Sequence, residues 1–369
     1  LCIQTMLLLG AGPGSRVLMA RNSHRSAVNA AALLDLDPVW IWPEQGRISP
    51  QQVDAMLKND RDIRSVYITS PDYRGILCDI PALAAVCRKY GVHLLVDNAH
   101  GSHLGAFGRH PLTLGADMTA DSWHKTLPVL TGGAVLHLSG GWRGQTEAPL
   151  LRRRAKTVMA LFGSTSPSFP VLASIDQAQA WWRREGPDAY RTTAQRVSAL
   201  RRTAEAAGFL APGGDGFDPA RLTLGTVGLG LSGIRAAEAF RRCGCEPEHA
   251  DARMVVFIVT PFNTEEDIRR LDKAIRRVPE LCIRETDPEA FDPFGCGIPA
   301  KRMRLRQAAL METDEIPSGE AAGRIAARSI CPCPPGIAAV VPGEEIGPEL
   351  ARRLPGWGIP TVTVVRETG

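Results

Sequence analysis

Along the first 140 residues, short runs of Val, Ile and Leu alternate with longer stretches whose apolar residues recur at helical spacing. Short β-branched runs bounded by turn residues predict buried strands. By that rule Arg16–Ala20, Val39–Trp42, Ser65–Thr69 and His93–Asp97 are predicted strands, followed by Met118–Asp121 and Ala134–His137. Between them Ser26–Leu34, Pro50–Leu57 and Pro81–Tyr90 predict amphipathic helices. This alternation implies βαβ units, and therefore an α/β fold with a mainly parallel sheet buried under helices.

Beyond residue 150 the pattern turns helical, with predicted helices at Gln177–Arg184 and Tyr190–Ala207. A strand Leu222–Val227, a helix near Gly233–Arg242, a strand Met254–Thr260 and a helix Glu265–Arg277 then predict a smaller α+β unit. The Pro/Gly-rich stretch Asp292–Pro299 marks a boundary. A compact α+β tail follows, with a helix near Gly319–Ala327 and a proline-rich turn at Cys331–Gly336. The expected division is residues 1–205, 206–285 and 286–369.

A net charge of +4 spread over 369 residues gives no concentrated basic footprint, so nucleic acid is not an expected partner. The run Arg152-Arg153-Arg154 with Lys156 reads as a solvated helix face. No apolar run approaches the ~20 residues of a membrane span. The opening Leu1–Leu9 is apolar but short, with no basic region before it and no clear cleavage site after it, so a signal peptide is not expected. Nine cysteines, an odd number, include the close pairs Cys243/Cys245 and Cys331/Cys333 without a matching Cys or His pair at zinc spacing. Reduced thiols, no metal and a cytoplasmic location are the expectation. Leu rather than Met at position 1 points to a fragment of a longer protein.

Candidate chemistry is concentrated between Leu94 and Leu138. Asp97 ends a predicted buried strand, and open α/β sheets bind ligands outside the carboxyl ends of their strands. Taken alone, Asp97 reads equally well as a turn-capping carboxylate. A second strand ends in Ser122-Trp-His124-Lys125, a hydroxyl, an imidazole and an amine within four residues. Taken alone, Lys125 reads as a surface charge. Together they match what a pyridoxal 5'-phosphate (PLP) site requires: an amine for a Schiff base, a carboxylate for the pyridine nitrogen, and donors for the phosphate.

At these residues the chain resembles the Orn/Lys/Arg decarboxylase family of PLP enzymes. The resemblance lies in Val96-Asp-Asn-Ala-His-Gly101, Asp121-Ser-Trp-His-Lys-Thr-Leu-Pro128 and Thr131-Gly-Gly-Ala-Val-Leu-His-Leu138. It extends in order through Ala20–Ser26, Thr69–Gly75, Gly163–Ser168, Cys331–Gly336 and Pro342-Gly-Glu344. It implies PLP fold type I: a seven-stranded-type, mainly parallel sheet, shortened at the N-terminus, with a smaller α+β domain and a small C-terminal α+β domain. The implied activity is decarboxylation of lysine, arginine or ornithine to a polyamine-type amine and CO2, by a homodimer or larger assembly.

The roles implied by matching position are these. Lys125 forms the Schiff base, Asp97 pairs with the pyridine nitrogen, and Ala99 and His24 flank the ring. Ser122 and His124 reach the phosphate, with Thr165 and Ser166 approaching it across a dimer interface. His100 is a second candidate proton donor after Lys125, and Glu344 a candidate partner for the substrate's distal cation. His103, His110 and His137 read as structural or exposed, Trp123 as core, and Tyr73 as either pocket lining or packing.

Asn98, Asp72 and Cys333 stand where the family has Glu, Thr and an aromatic residue, which bears on specificity. The family's Gly-Ser-Thr phosphate loop would fall immediately before Leu1, so the chain is expected to be N-terminally shortened and to bind PLP poorly. Two other readings stay open: another fold-type-I reaction, such as transamination or aldolase-like cleavage, and an inactive relative or fragment.

Overall fold

A computed structural model describes residues 1–139, 148–281, 297–331 and 337–367. The proline-rich turn at 332–336 and most of the expected boundary, residues 292–296, lie outside the described residues. The first unit runs α1 (Cys2–Gly10), β1 (Arg16–Ala20), α2 (Arg25–Leu33), β2 (Asp37–Ile41), α3 (Pro50–Asn59), β3 (Ile63–Thr69), α4 (Ile80–Tyr90) and β4 (His93–Asp97). It continues with β5 (Met118–Asp121), α5 (Trp123–Thr126), β6 (Val135–Leu138), α6 (Ala148–Phe162), α7 (Phe169–Arg184) and α8 (Gly186–Ala206).

Six strands form one sheet in the order β2-β1-β3-β4-β5-β6, against the seven of the expected type; all neighbours are parallel except β5 and β6. Helices cover both faces, so strand residues feed two cores in alternation. Val17, Met19, Tyr67 and Leu95 join the core under α1, α2 and α6, whereas Leu18, Val66, Ile68, Leu94 and Val96 join the core under α3 and α4. Each fully buried Leu or Val contributes roughly 1.5–3 kcal/mol. The apolar opening of the chain is the helix α1, whose Met6, Leu7 and Leu9 pack into the first of these cores.

Local signals explain the helix boundaries. Ser49 and Gln52 cap α3 reciprocally, with Pro50 at its first position. Asp79 caps α4, which ends on Gly91 in the left-handed conformation (φ 68°) that glycine adopts without a Cβ clash. In α6, Arg152, Arg153, Arg154 and Lys156 are exposed while Ala155 and Val158 are buried, as expected for a solvated face.

The second unit comprises β7 (Arg221–Gly225), α9 (Gly233–Arg242), β8 (His249–Ala250), β9 (Met254–Ile258) and α10 (Glu265–Leu281). Its three strands are antiparallel in the order β7-β9-β8, and α8, α9 and α10 close its core. The third unit contains α11 (Leu305–Leu310), β10 (Thr313–Pro317), α12 (Pro348–Arg353) and β11 (Thr361–Val365), with β10 and β11 antiparallel.

The helix expected near Gly319–Ala327 does not form. Ser318–Glu320 make a single 3-10 turn, Gly323 takes φ +81°, and Ile325 and Ala326 bridge to Glu345 and Val364. Two glycines weaken any helix there, and cross-chain bridges supply the backbone partners instead. Among the described residues no helix is long and apolar enough to cross a membrane, and six cysteines, including Cys243 and Cys245, are free thiols.

The third unit is fastened to the sheet by one buried ion pair. Arg21, directly after β1, donates through Nη2 to Glu344 Oε2 at 2.7 Å and to the Ala339 carbonyl at 3.0 Å. Its guanidinium lies 4.9 Å from the Trp40 ring and 5.3 Å from the Trp42 ring. Glu344 Oε2 also accepts the Val341 N–H at 2.9 Å. Removing one partner of such a pair strands a buried charge, whereas replacing both with apolar groups is much milder. Arg21→Met alone is therefore expected to destabilise the chain by about 3–5 kcal/mol in urea unfolding, and Arg21→Met with Glu344→Leu to recover most of that loss.

Candidate active site

Parallel strands bring the candidate residues to one edge. Asp97 is the last residue of β4 and pairs with Ala120 of β5. The chain leaves β5 at Asp121, passes Ser122 and turns at once into α5, which carries His124 and Lys125. Asp97 and Ser122 line the same cavity of about 300 Å3, together with Ser26 and Asn29 of α2, Ala134 and the first residues of α1.

Asp97 is 2% exposed. It accepts the Ala99 N–H at 3.1 Å on Oδ1 and the Tyr67 hydroxyl at 3.1 Å on Oδ2. Burial pushes its carboxyl above the usual range, against the charge of Lys125 and these two donors. Among the described residues it makes no ion pair within 4.0 Å. Lys125 Nζ lies 3.1 Å from His100 Nε2. Burial lowers the Lys125 pKa, and Arg221 adds to this while Asp97 and Glu248 oppose it. His100 is held well below its ordinary value, first by burial and then by Arg221 and Lys125.

The other expected residues are distributed as follows. His24 is the N-cap of α2, its Nδ1 accepting the Ser26 N–H at 3.2 Å. His124 donates from Nδ1 to the Gly133 carbonyl at 2.9 Å, which fixes its ring on the turn ahead of β6. Thr165 and Ser166 are exposed on the connection between α6 and α7. The Glu344 carboxylate is occupied by Arg21 and the Val341 N–H, and its contacts include none of the other candidates. Trp123 packs with Leu127, Tyr190 and Ala220, as core.

Four residues at the site were not singled out from sequence. Tyr67 reads as core in a strand, yet it pairs with Leu95, so it stands one pleat repeat from Asp97 on the same sheet face. Arg221 and Asp218 arrive from the start of the second unit, and Glu248 from the segment before β8. The Tyr73 hydroxyl donates to Glu248 Oε1 at 2.7 Å, and its ring meets His100 edge-on at 5.0 Å. His103, buried, bonds Asp218 Oδ1 at 2.8 Å and stacks on Tyr190 at 4.7 Å.

Beside the cavity, His110, Asp121 and His137 bring three possible metal-ligand atoms within 4.8 Å of one another. Hydrogen bonds already account for two of them. His110 Nδ1 accepts the Leu112 N–H at 3.3 Å, which leaves the proton on Nε2, 2.9 Å from Asp121 Oδ2. Asp121 also accepts from Asn98 Nδ2 and Thr119 Oγ1, each at 2.7 Å. That tautomer donates to the carboxylate and presents no lone pair to a cation at Nε2.

Comparison with known proteins gives the family. Residues 2–213 match the family profile of the Orn/Lys/Arg decarboxylase major domain, and residues 299–354 that of the C-terminal domain of the same family. The chain is 28% identical to an arginine decarboxylase of Bacillus subtilis over 368 residues, covering 94% of this chain and 74% of that protein. It superposes on the lysine decarboxylase of Francisella novicida with a TM-score of 0.78 at 17% identity, covering 99% of this chain and 68% of that one. It superposes on an alanine–glyoxylate aminotransferase from Nostoc sp. with a TM-score of 0.59 at 17% identity, covering 75% and 78%. These two likenesses are of fold. The profiles span more than half of the chain and both ends of it, so the chain belongs to the Orn/Lys/Arg decarboxylase family, as an amino-acid decarboxylase on the fold-type-I α/β scaffold.

Proposed function

We propose that this chain binds pyridoxal 5'-phosphate through Lys125 and Asp97 and uses it to decarboxylate a basic amino acid to its amine and CO2. The observation that carries the reading is a buried carboxylate without an ion pair, facing a cavity, beside a lysine whose pKa burial lowers. The residues fit the group. A protonated pyridine nitrogen supplies the cation Asp97 lacks, and an anionic phosphate suits the Ser122 hydroxyl and the amino end of α1, both on the cavity wall. When bound, the cofactor supplies a conjugated electron sink for the pair left at Cα when CO2 departs.

The chain's own residues do the rest. Asp97, whose charged form the Tyr67 and Ala99 donors favour against burial, would pair with the ring nitrogen and favour a proton there. Lys125, its ammonium disfavoured by burial, would hold the group through its neutral amine. By the family resemblance His24 and Ala99 would flank the ring, and Ser122 and His124 would orient the phosphate, by positioning rather than bond-making. With substrate bound, Lys125 or His100 would deliver a proton to Cα, and their 3.1 Å contact would let either replenish the other. Borohydride reduction at saturating cofactor should label the Lys125 peptide. Lys125→Ala should lose that label and at least about a hundredfold of CO2 release from arginine, lysine or ornithine. Keto-acid formation without CO2 release would reverse the assignment of reaction.

For the substrate's distal cation we infer Glu248 rather than Glu344, whose carboxylate is already paired with Arg21. Glu248 is held by Tyr73, which also packs on His100, and its charge is felt at Lys125. Glu248→Gln should raise KM for the basic amino acid about tenfold, with a smaller change in kcat, because it removes charge recognition and not chemistry.

The assembly we propose is a homodimer through the α6–α7 corner. Leu161, Phe169 and Leu172 are exposed there, with Thr165 and Ser166 between them. A stable interface needs about 1,200–2,000 Å2 of buried surface, and apolar anchors of this kind supply its centre. Phe169→Asp should shift the chain from dimer to monomer in sedimentation and lower cofactor occupancy with it. An unchanged sedimentation coefficient would refute this interface.

A further inference from the structure

We propose that Arg221 is a positioning residue: by donating to Nδ1 of His100 it fixes that ring as the Nε2–H tautomer, with the proton directed at the amine of Lys125. The inference deepens the reading of Lys125 as the reactive amine and rests on it for its functional meaning.

Arg221 Nη2 lies 3.4 Å from His100 Nδ1, and Lys125 Nζ lies 3.1 Å from His100 Nε2. A guanidinium has only protons to give, so Nδ1 must be the acceptor. A neutral imidazole with Nδ1 accepting carries its proton on Nε2. That proton needs a lone pair opposite it, which an ammonium does not have and a neutral amine does. The two contacts are therefore satisfied together only when Lys125 is deprotonated, the form in which it acts as a nucleophile.

The remaining charges agree with this. His100 is held neutral by burial, by Arg221 and Lys125, and by His24 and His103; the other ring against it is Tyr73. Lys125 faces Arg221, Asp97 and Glu248, and its charge is felt by His24. Of these, Arg221 is the cation that contacts the ring from the second unit.

The surroundings also place Arg221 with care. It is 2% exposed, and its Nε and Nη1 have no hydrogen-bond partner. Its Nε stands 3.9 Å from Asp218 Oδ2, a loose pair, while Asp218 Oδ1 is held by His103 and the Ala220 N–H. Its stem passes Gly75, where φ is +87° and a Cβ would fall 2.7 Å from Arg221 Cγ. Only glycine at that turn leaves the arginine this path to His100.

The test uses the full chain without added cofactor. Nitrogen-15 labelling of the eight histidines, with the His100 signals assigned by their loss in His100→Asn, reports the tautomer directly. The expected result is an unprotonated Nδ1 and a protonated Nε2 in the unmodified chain, and loss of that preference in Arg221→Met, which has no donor, while the other histidine signals stay in place. Arg221→Lys, which keeps a donor-only cation, should restore the preference in part, and serves if the methionine variant does not fold. The pH midpoint for acylation of Lys125, read by mass spectrometry, should rise by about one unit in Arg221→Met, a tenfold change in the amine's ionisation constant. A proton on Nδ1 in the unmodified chain, or a tautomer and midpoint unmoved in both variants, would overturn the proposal. Because neither readout involves the cofactor, failure of borohydride trapping alone would count against the proposed activity and not against this role of Arg221.

Discussion

The parallel pairing of β4 with β3 and β5 is the constraint on which the site depends. It sets Thr69, Asp97 and Ala120 at one level of the sheet, so that three strand ends open at the same edge. Side chains alternate between two different cores, so a slip of one residue in β4 would turn Asp97 away from α1 and send Val96 in its place. Such a slip would also misplace Leu94 and Leu95, both fully buried. The apolar cost of misregistering β4 thus protects the position of a carboxylate that is itself costly to bury.

The site's electrostatics follow from that burial. Asp97, His100, Lys125, Asp218 and Arg221 are gathered where water contributes little, and each is shifted by its neighbours or shifts them. Asp97 ends β4, His100 lies in the loop after it, Lys125 is on α5, and Asp218 and Arg221 come from the second unit. Joining the two units therefore completes a charge balance, with Asp218 tied to His103 on one side and Arg221 reaching His100 on the other. The second unit contributes to the ionisation state of the site as well as to its walls.

Much of this was legible in the sequence. β1, β4 and β5 have the predicted bounds, because short buried runs that end at turn residues leave little freedom in their limits. Asp97 and Lys125 were legible because Asp97 ends one such strand and Lys125 comes shortly after another. Tyr67 was not: a tyrosine within Val66-Tyr67-Ile68 reads as core, and only the register beside Leu95 gives its hydroxyl a purpose. Arg221 and Glu248 were hidden for a different reason. They approach from the second unit across more than a hundred residues of chain, and no local pattern encodes that distance. Glu344 was read as a free acid near the end of a motif, and its partner Arg21 lies in another motif near the start. The failed helix at Gly319–Ala327 shows the opposite error, a local preference overruled by bridges to distant segments.

That Arg21–Glu344 pair joins residues 323 positions apart in the chain. Sequence change at either end is therefore coupled to the other. A lineage that lost one partner would pass through a form carrying a stranded buried charge before it could lose the second. Relatives of this protein should accordingly hold both residues or neither.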